Sequence, residues 1–208
     1  MIDERLGDII KTFSPISLDE MEGVKLMNRI DTKYVVSKST VPDILDAARE
    51  GYYVQEIEGE RVAMYDTVYY DTEGLDMYMR HHDRQLVRQK IRVRQYVDSA
   101  LTFLEIKRKN NKGRTKKKRI VVPGFAIEAE TMGHSKREDW SVEDFVKAKS
   151  RYVWEELSPR LRTKFHRITL VNKDKTEGIT MDMDLEWENM VSREKMSYPE
   201  LVIIEVKQ

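Results

Sequence analysis

Between Arg84 and Arg119 the chain reads RQLVRQKIRVRQYVDSALTFLEIKRKNNKGRTKKKR. Of the chain's 37 Lys and Arg, 14 lie in this window, against 2 of its 37 acids, so the rest holds 23 bases and 35 acids. A neutral total therefore conceals a polarised molecule. The order inside the window constrains the fold further. Lys90, Arg92, Arg94 and Tyr96 fall on one parity, with Ile91, Val93 and Val97 mostly on the other. Successive side chains of a β-strand point to opposite faces, so this is a strand with cations on one face and aliphatics on the other. Leu101 to Lys109 repeats the pattern, with Phe103, Glu105, Lys107 and Lys109 facing away from Leu104 and Ile106. Lys116 to Val122 is a third basic run. Asp98–Ala100 and Asn110–Gly113 supply turn residues between them. Adjacent hairpin strands then set cations side by side, which is destabilising, and such a face needs a polyanion or interleaved carboxylates.

Elsewhere the pattern is of strands with a few helices. Ile2 to Phe13 has helical spacing, and Pro15 ends it. Ser17 and Glu20 read as a capping box for a second short helix. Met27 to Ser37 reads as a strand with Arg29, Asp31 and Lys33 on one side. Thr40, Pro42 and Gly51 bracket a helix. Tyr52–Ile57 and Val62–Asp71 read as strands, and Leu75–Arg80 as a short helix. Ser141, with Asp144, opens a helix predicted to run to Leu157, its apolar stripe including Phe145, Val146 and Tyr152. Leu161–Asn172, Ile179–Glu188 and Leu201–Gln208 read as strands. About eight strands at hairpin spacing predict an α+β chain, mainly an antiparallel sheet, with flanking helices. If the sheet closes, its charged face lines a lumen.

The chain is long enough for one sizeable core, and no linker breaks it, so residues 1–208 are expected to form one domain, with helical residues 1–26 packing on the barrel. Absence of Cys excludes disulfides, thiolate catalysis and Cys-based zinc sites. No apolar run reaches the ~20 residues of a membrane span, and the N-terminus lacks a signal-peptide core. A cytoplasmic protein is expected. His81 and His82 lack ligand spacing with the other His residues and read as a surface turn. Nucleic acid is not an expected partner: Tyr96 and Phe103 form no stacking platform, and no DNA-binding motif is visible.

Six motifs in order carry a family resemblance. R29-x-D31-x-K33-Y34, Y69-Y70-D71-T72, K90-x-R92-x-R94-x-Y96, E105-x-K107, T180-x-D182 and E205-x-K207 together resemble the VTC domain. That is the polyphosphate polymerase domain of the vacuolar transporter chaperone type, within the triphosphate tunnel (CYTH-like) superfamily. The resemblance implies an antiparallel β-barrel tunnel in which a nucleoside triphosphate gives its γ-phosphate to a polyphosphate chain, with Mn or Mg as divalent metal. It implies phosphate-binding roles for Arg29, Lys33, Lys90, Arg92, Arg94, Tyr96, Lys107, Lys116, Lys118 and Arg167. Among these it implies a catalytic part for Lys33, Arg92, Arg94 and Lys107, and metal ligation by Glu205 and Asp182. Phosphoryl transfer asks a protein mainly for positioning and charge stabilisation. Arg offers a fork and Lys a point charge. Tyr70 and Tyr96 are expected either to bond phosphate or to pack. Lys117 and Arg119 are expected at the surface, because only alternate side chains face a lumen.

The chain also departs from the family pattern. Arg29 and Asp31 stand where the hydrolase branch has two Glu, favouring the polymerase branch. Phe165 replaces an expected Tyr, and Gly178 an expected Arg. Relatives continue beyond the final Glu-x-Lys, whereas this sequence ends at Gln208. These departures keep two alternatives open: a non-catalytic polyphosphate or triphosphate receptor, and a triphosphatase. A partner in a membrane is compatible with either.

Overall fold

The structure is a computed structural model that describes residues 4–21 and 30–208. In chain order its elements are α1 (Glu4–Lys11), β1 (Ser14–Ile16), α2 (Leu18–Met21), β2 (Asp31–Ser37), α3 (Val41–Ala48), β3 (Tyr52–Gln55), β4 (Ala63–Asp71), α4 (Asp76–His82), β5 (Arg88–Tyr96), β6 (Leu101–Lys109), β7 (Thr115–Val122), β8 (Met132–His134), β9 (Asp139–Ser141), α5 (Val142–Lys149), β10 (Ser158–Asn172), β11 (Gly178–Asn189), β12 (Lys195–Tyr198) and β13 (Leu201–Lys207). The architecture is α+β; β1 pairs parallel with β3, and the pairs β2–β13, β13–β11, β4–β5, β5–β6 and β6–β7 are antiparallel. The described residues form thirteen strands, where about eight are expected. The ones periodicity overlooks, β1, β8, β9 and β12, have three or four residues each, too few to display alternation. No helix among the described residues is long and apolar enough to cross a membrane.

The chain forms two compact units. The first comprises Met1–Met64, Lys164–Glu186 and Ser197–Gln208. Here β13 pairs with β2 and β11, placing Glu205 opposite Lys33 and Thr180. Asp31 and Lys33 of β2 and Glu205 and Lys207 of β13, all odd, put four charges on one face. Their even neighbours, Val36, Val202 and Ile204, join a core with Leu6, Ile10, Val41 and Leu45 of the two helices. Each fully buried aliphatic there contributes about 1.5–3 kcal/mol. Arg61 closes the end of α1, its Nη1 donating to the carbonyls of Ile10 (2.9 Å) and Phe13 (3.1 Å), where a cation satisfies orphan carbonyls and opposes the helix dipole. The Ser17–Glu20 capping box forms, with Ser17 N donating to Glu20 at 2.9 Å. The Arg29 position lies outside the described residues.

The second unit comprises Tyr65–Thr163 and Trp187–Met196. It is built on the antiparallel run β4–β5–β6–β7, extended by β8 and β9. Ile91, Val93, Leu104, Ile106 and Ile120 lie on one face and bury against Phe145 and Val146 of α5. Asp71 ends β4 and caps α4, its carboxylate accepting from the amides of Met77 and Tyr78, both at 2.9 Å. The helix predicted to Leu157 stops at Lys149. Beyond it Ser150 is extended, Tyr152 and Leu157 reach the core from non-helical chain and Trp154 from a single 3-10 turn (Trp154–Glu156), with Arg151 N donating to Gln89. The spacing of Tyr152 and Leu157 from Phe145 and Val146 imitates a helix stripe. Within neither unit does the sheet close on itself among the described residues: it ends at β2 in the first and at β9 in the second.

Gly133 on β8 faces β7 closely. A Cβ there would lie 2.6 Å from Ile120 Cδ1 and 2.9 Å from the Val121 carbonyl oxygen. Gly133→Ala is therefore expected to cost about 1–3 kcal/mol as an overpacked position. Urea unfolding, with an unchanged slope and a lower midpoint, checks this.

Candidate functional site

The charged face of the second unit follows from register. Tyr69, Arg92, Glu105 and Arg119 stand in one cross-strand row, and Lys90, Lys107 and Lys117 in the next. Thr67, Arg94 and Phe103 form a third. At its centre Glu105 is fully buried. Arg92 grips it with Nε and Nη2, at 2.8 and 2.5 Å, and Lys117 Nζ donates to its other oxygen at 3.1 Å. Burial alone would raise the Glu105 pKa, but Arg92, Lys117 and Arg94 outweigh it and hold the carboxyl at about 2. One carboxylate thus keeps a crowd of cations together.

Lys107 has the opposite fate. Burial, reinforced by Arg92, Arg94 and Lys117, lowers its pKa to about 7, Glu105 opposing only in part. Its Nζ makes no hydrogen bond or ion pair among the described residues. Arg94 is buried and donates from Nε to Thr67 Oγ1 at 3.0 Å, its guanidinium 5.1 Å from the Tyr65 ring. Tyr96 shares the face and packs against Tyr65 (5.0 Å) and Phe103 (5.7 Å), while Arg119 stacks over Phe103 at 4.3 Å.

The structure gathers Lys90, Arg92, Arg94, Tyr96 and Lys107 on one face. It does not gather Lys116 and Lys118 there. They pair with Arg108 and Ile106 and point to the side carrying the aliphatics. Lys117 and Arg119, expected only as surface cations, are exposed but stand in the charged rows. Tyr70 packs on Trp154 in the core, ring centroids 5.0 Å apart, and burial pushes its pKa to about 12. Its neighbour Tyr69 faces the cations instead.

In the first unit the charged face holds Lys33, Arg167, Asp182, Glu205 and Lys207. Arg167 forks onto Asp182 at 2.5 and 2.6 Å. Glu205 lies between Lys207 (3.1 Å) and Lys33 (3.6 Å), whose side chain is 65% exposed. Burial favours protonation of Glu205, but Lys207, Lys33 and Arg167 prevail and its pKa stays below the usual carboxylate value. An unforeseen group lies on the same unit: Asp184 receives Lys38 Nζ at 2.5 Å and meets His166 Nδ1 at 3.1 Å. Both partners are distant in sequence, so no local signal announces them. No cluster of three or more His, Cys, Asp or Glu able to hold a metal occurs among the described residues. Glu205 and Asp182 nevertheless offer hard oxygen donors, and Mg²⁺ characteristically uses one or two carboxylates plus substrate phosphates. That donor chemistry fits a divalent ion arriving with a phosphate ligand.

The α+β scaffold thus carries cation-bearing strand faces, one of them organised around a buried glutamate. Residues 28–208 match the VTC domain, and the chain belongs to that family. Among solved structures it resembles a candidate adenylate cyclase from Bacillus halodurans, with TM-score 0.51 and 14% identity over 88% of this chain and 82% of that one. It is less similar to a candidate adenylate cyclase from Vibrio parahaemolyticus, with TM-score 0.47 and 10% identity over 85% and 74% of the two chains. A candidate adenylyl cyclase from Hippeastrum, described as revealing a dominant triphosphatase activity, gives TM-score 0.41 and 15% identity over 86% and 78%. The first of these likenesses supports the fold. No curated protein matches the chain.

Proposed function

We propose that the chain, acting as one functional domain, is a polyphosphate polymerase-type phosphotransferase. It takes the γ-phosphate of a nucleoside triphosphate to a polyphosphate chain, in the cytoplasm. The supporting observation is the row of Lys90, Lys107 and Lys117 beside Arg92 and Arg94, in which one cation, Lys107, lacks any hydrogen-bond partner among the described residues. Such a face is stabilised by an anion. Arg92 and Arg94 are the proposed catalytic cations together with Lys107 and, on the first unit, Lys33. Lys90, Tyr96 and Arg167 are assigned to phosphate, and Glu205 and Asp182 to Mn²⁺ or Mg²⁺. A receptor without turnover is the second reading. Its support is that both assigned metal ligands are already engaged by cations, and that Gly178 stands where the family resemblance expects Arg.

Incubation with ATP and Mn²⁺, followed by gel analysis for polyphosphate, tests the first reading. Calorimetric binding of tripolyphosphate without product supports the second, and absence of both removes the two together. Arg94→Ala is expected to weaken tripolyphosphate binding about 10-fold, the loss of one charge-assisted contact.

A further inference from the structure

Tyr69 stands on β4 directly opposite Arg92. Its Oη accepts a hydrogen bond from Arg92 Nη1 at 3.3 Å, and the Arg92 guanidinium lies 5.9 Å from its ring centre. The other charges acting on it are Arg94 and Lys90. A guanidinium or ammonium group donates and never accepts. The phenolic hydrogen therefore has no acceptor among the described residues. Arg92 spends its Nε–H and one Nη2–H on Glu105 and one Nη1–H on Tyr69, leaving one hydrogen on each terminal nitrogen. An oxygen that accepts from the second Nη1–H lies about 5 Å from the Tyr69 hydroxyl, a gap that a second oxygen of the same phosphate spans. The residue is partly exposed, so such an oxygen can come from outside.

We propose that Tyr69 is a phosphate-binding residue: its O–H donates to a non-bridging oxygen of the polyanion that Arg92 holds, as a neutral donor among cations. The inference rests on the proposed polyanion-binding function and adds a contact that neither the charge pattern nor the family motifs assigned. Burial favours the neutral phenol, but Arg92, Arg94 and Lys90 outweigh it and Tyr69 ionises below the ordinary tyrosine value. A bound anion reverses that balance.

The test is calorimetry of tripolyphosphate, and of long-chain polyphosphate at several salt concentrations, with wild type and Tyr69→Phe. The phenylalanine keeps the ring and removes only the hydroxyl. Affinity is expected to fall about 10-fold, as for a hydrogen bond to a charged group. Because Tyr69 is uncharged, the salt dependence should not change. Loss of a cationic contact, as from a displaced Arg92, would reduce the salt slope by about one. A reduced slope, or equal affinity of variant and wild type, overturns the inference. In the wild type, phenolate absorbance attributable to Tyr69 should move to higher pH when tripolyphosphate is added. An unmoved titration overturns the proposal even if Tyr69→Phe folds poorly. Failure of the wild type to bind either polyanion instead defeats the proposed function, and this contact with it.

Discussion

Glu105→Gln is expected to lower the melting temperature by about 10 °C. The substitution keeps the shape of the side chain and removes its charge. Arg92, itself buried, then keeps its desolvation cost without its counter-charge, and Lys117 loses its partner. Breaking a buried pair from one side costs about 3–5 kcal/mol, and for a chain of this size each kcal/mol moves the midpoint by about 2–4 °C. Linkage gives a similar magnitude. The Glu105 pKa falls from 4.5 to about 2 on folding, and each unit is worth about 1.4 kcal/mol, so about 3 kcal/mol is involved. The sign is set by the depression: this stability is complete above pH 4.5 and disappears as the pH falls towards 2. Wild type and variant should therefore differ at neutral pH and converge in strong acid. Tripolyphosphate should stabilise the variant more than the wild type, since it returns negative charge to the same cations. Scanning calorimetry between pH 2 and 7 measures all of this; an unchanged midpoint at neutral pH would show that Glu105 does not hold the cluster together.

How the site can be read from residues depends on the range of each interaction. Alternation is local, so the charged parity of β5 and β6 is legible in the residue order alone, and so are the Ser17 and Ser141 capping boxes. Register is not local. The turn after β6, with Gly113 at φ 75° and Asn110 N bonded to the Arg114 carbonyl, decides that Lys117 rather than Lys116 or Lys118 comes opposite Lys107. A basic run without apolar partners offers nothing to choose the phase. Tyr69 and Tyr70 pose the same problem. Helix α4 separates β4 from β5, so no turn fixes which tyrosine meets Arg92. The helix predicted past Lys149 fails for another reason: Tyr152 and Leu157 satisfy the helical stripe while being buried from non-helical chain by tertiary packing. Asp184 gathers Lys38 and His166 from different strands and loops, a contact that no sequence window contains.

Tripolyphosphate affinity should fall as pH rises above 7, by up to about tenfold per unit, with the dependence strongly reduced in Lys107→Met. The cause lies in the faces around Lys107: Lys90 on β5 and Lys117 on β7 flank it, Arg92 and Arg94 add charge, and Glu105 compensates only partly. With a pKa of about 7, Lys107 is largely neutral at pH 8 in the empty protein. A bound phosphate restores the ammonium form, so binding takes up a proton, and each pH unit between the empty and occupied pKa values is worth about 1.4 kcal/mol. Over pH 7 to 9 the wild type should lose up to about a hundredfold in affinity beyond whatever the ligand's own ionisation causes. The Met variant, titrated identically, isolates that difference. Without ligand the sign reverses. The unfolded chain holds the Lys107 proton up to its ordinary value near 10.5 while the folded chain releases it near 7. Stability therefore rises with pH across that window in wild type, relative to Lys107→Met. Calorimetry in buffers of different ionisation enthalpy counts the proton directly. An uptake near zero at pH 8, or the same pH slope in both proteins, would mean that Lys107 is already charged in the empty site, and that the cations beside it are screened by something other than an arriving phosphate.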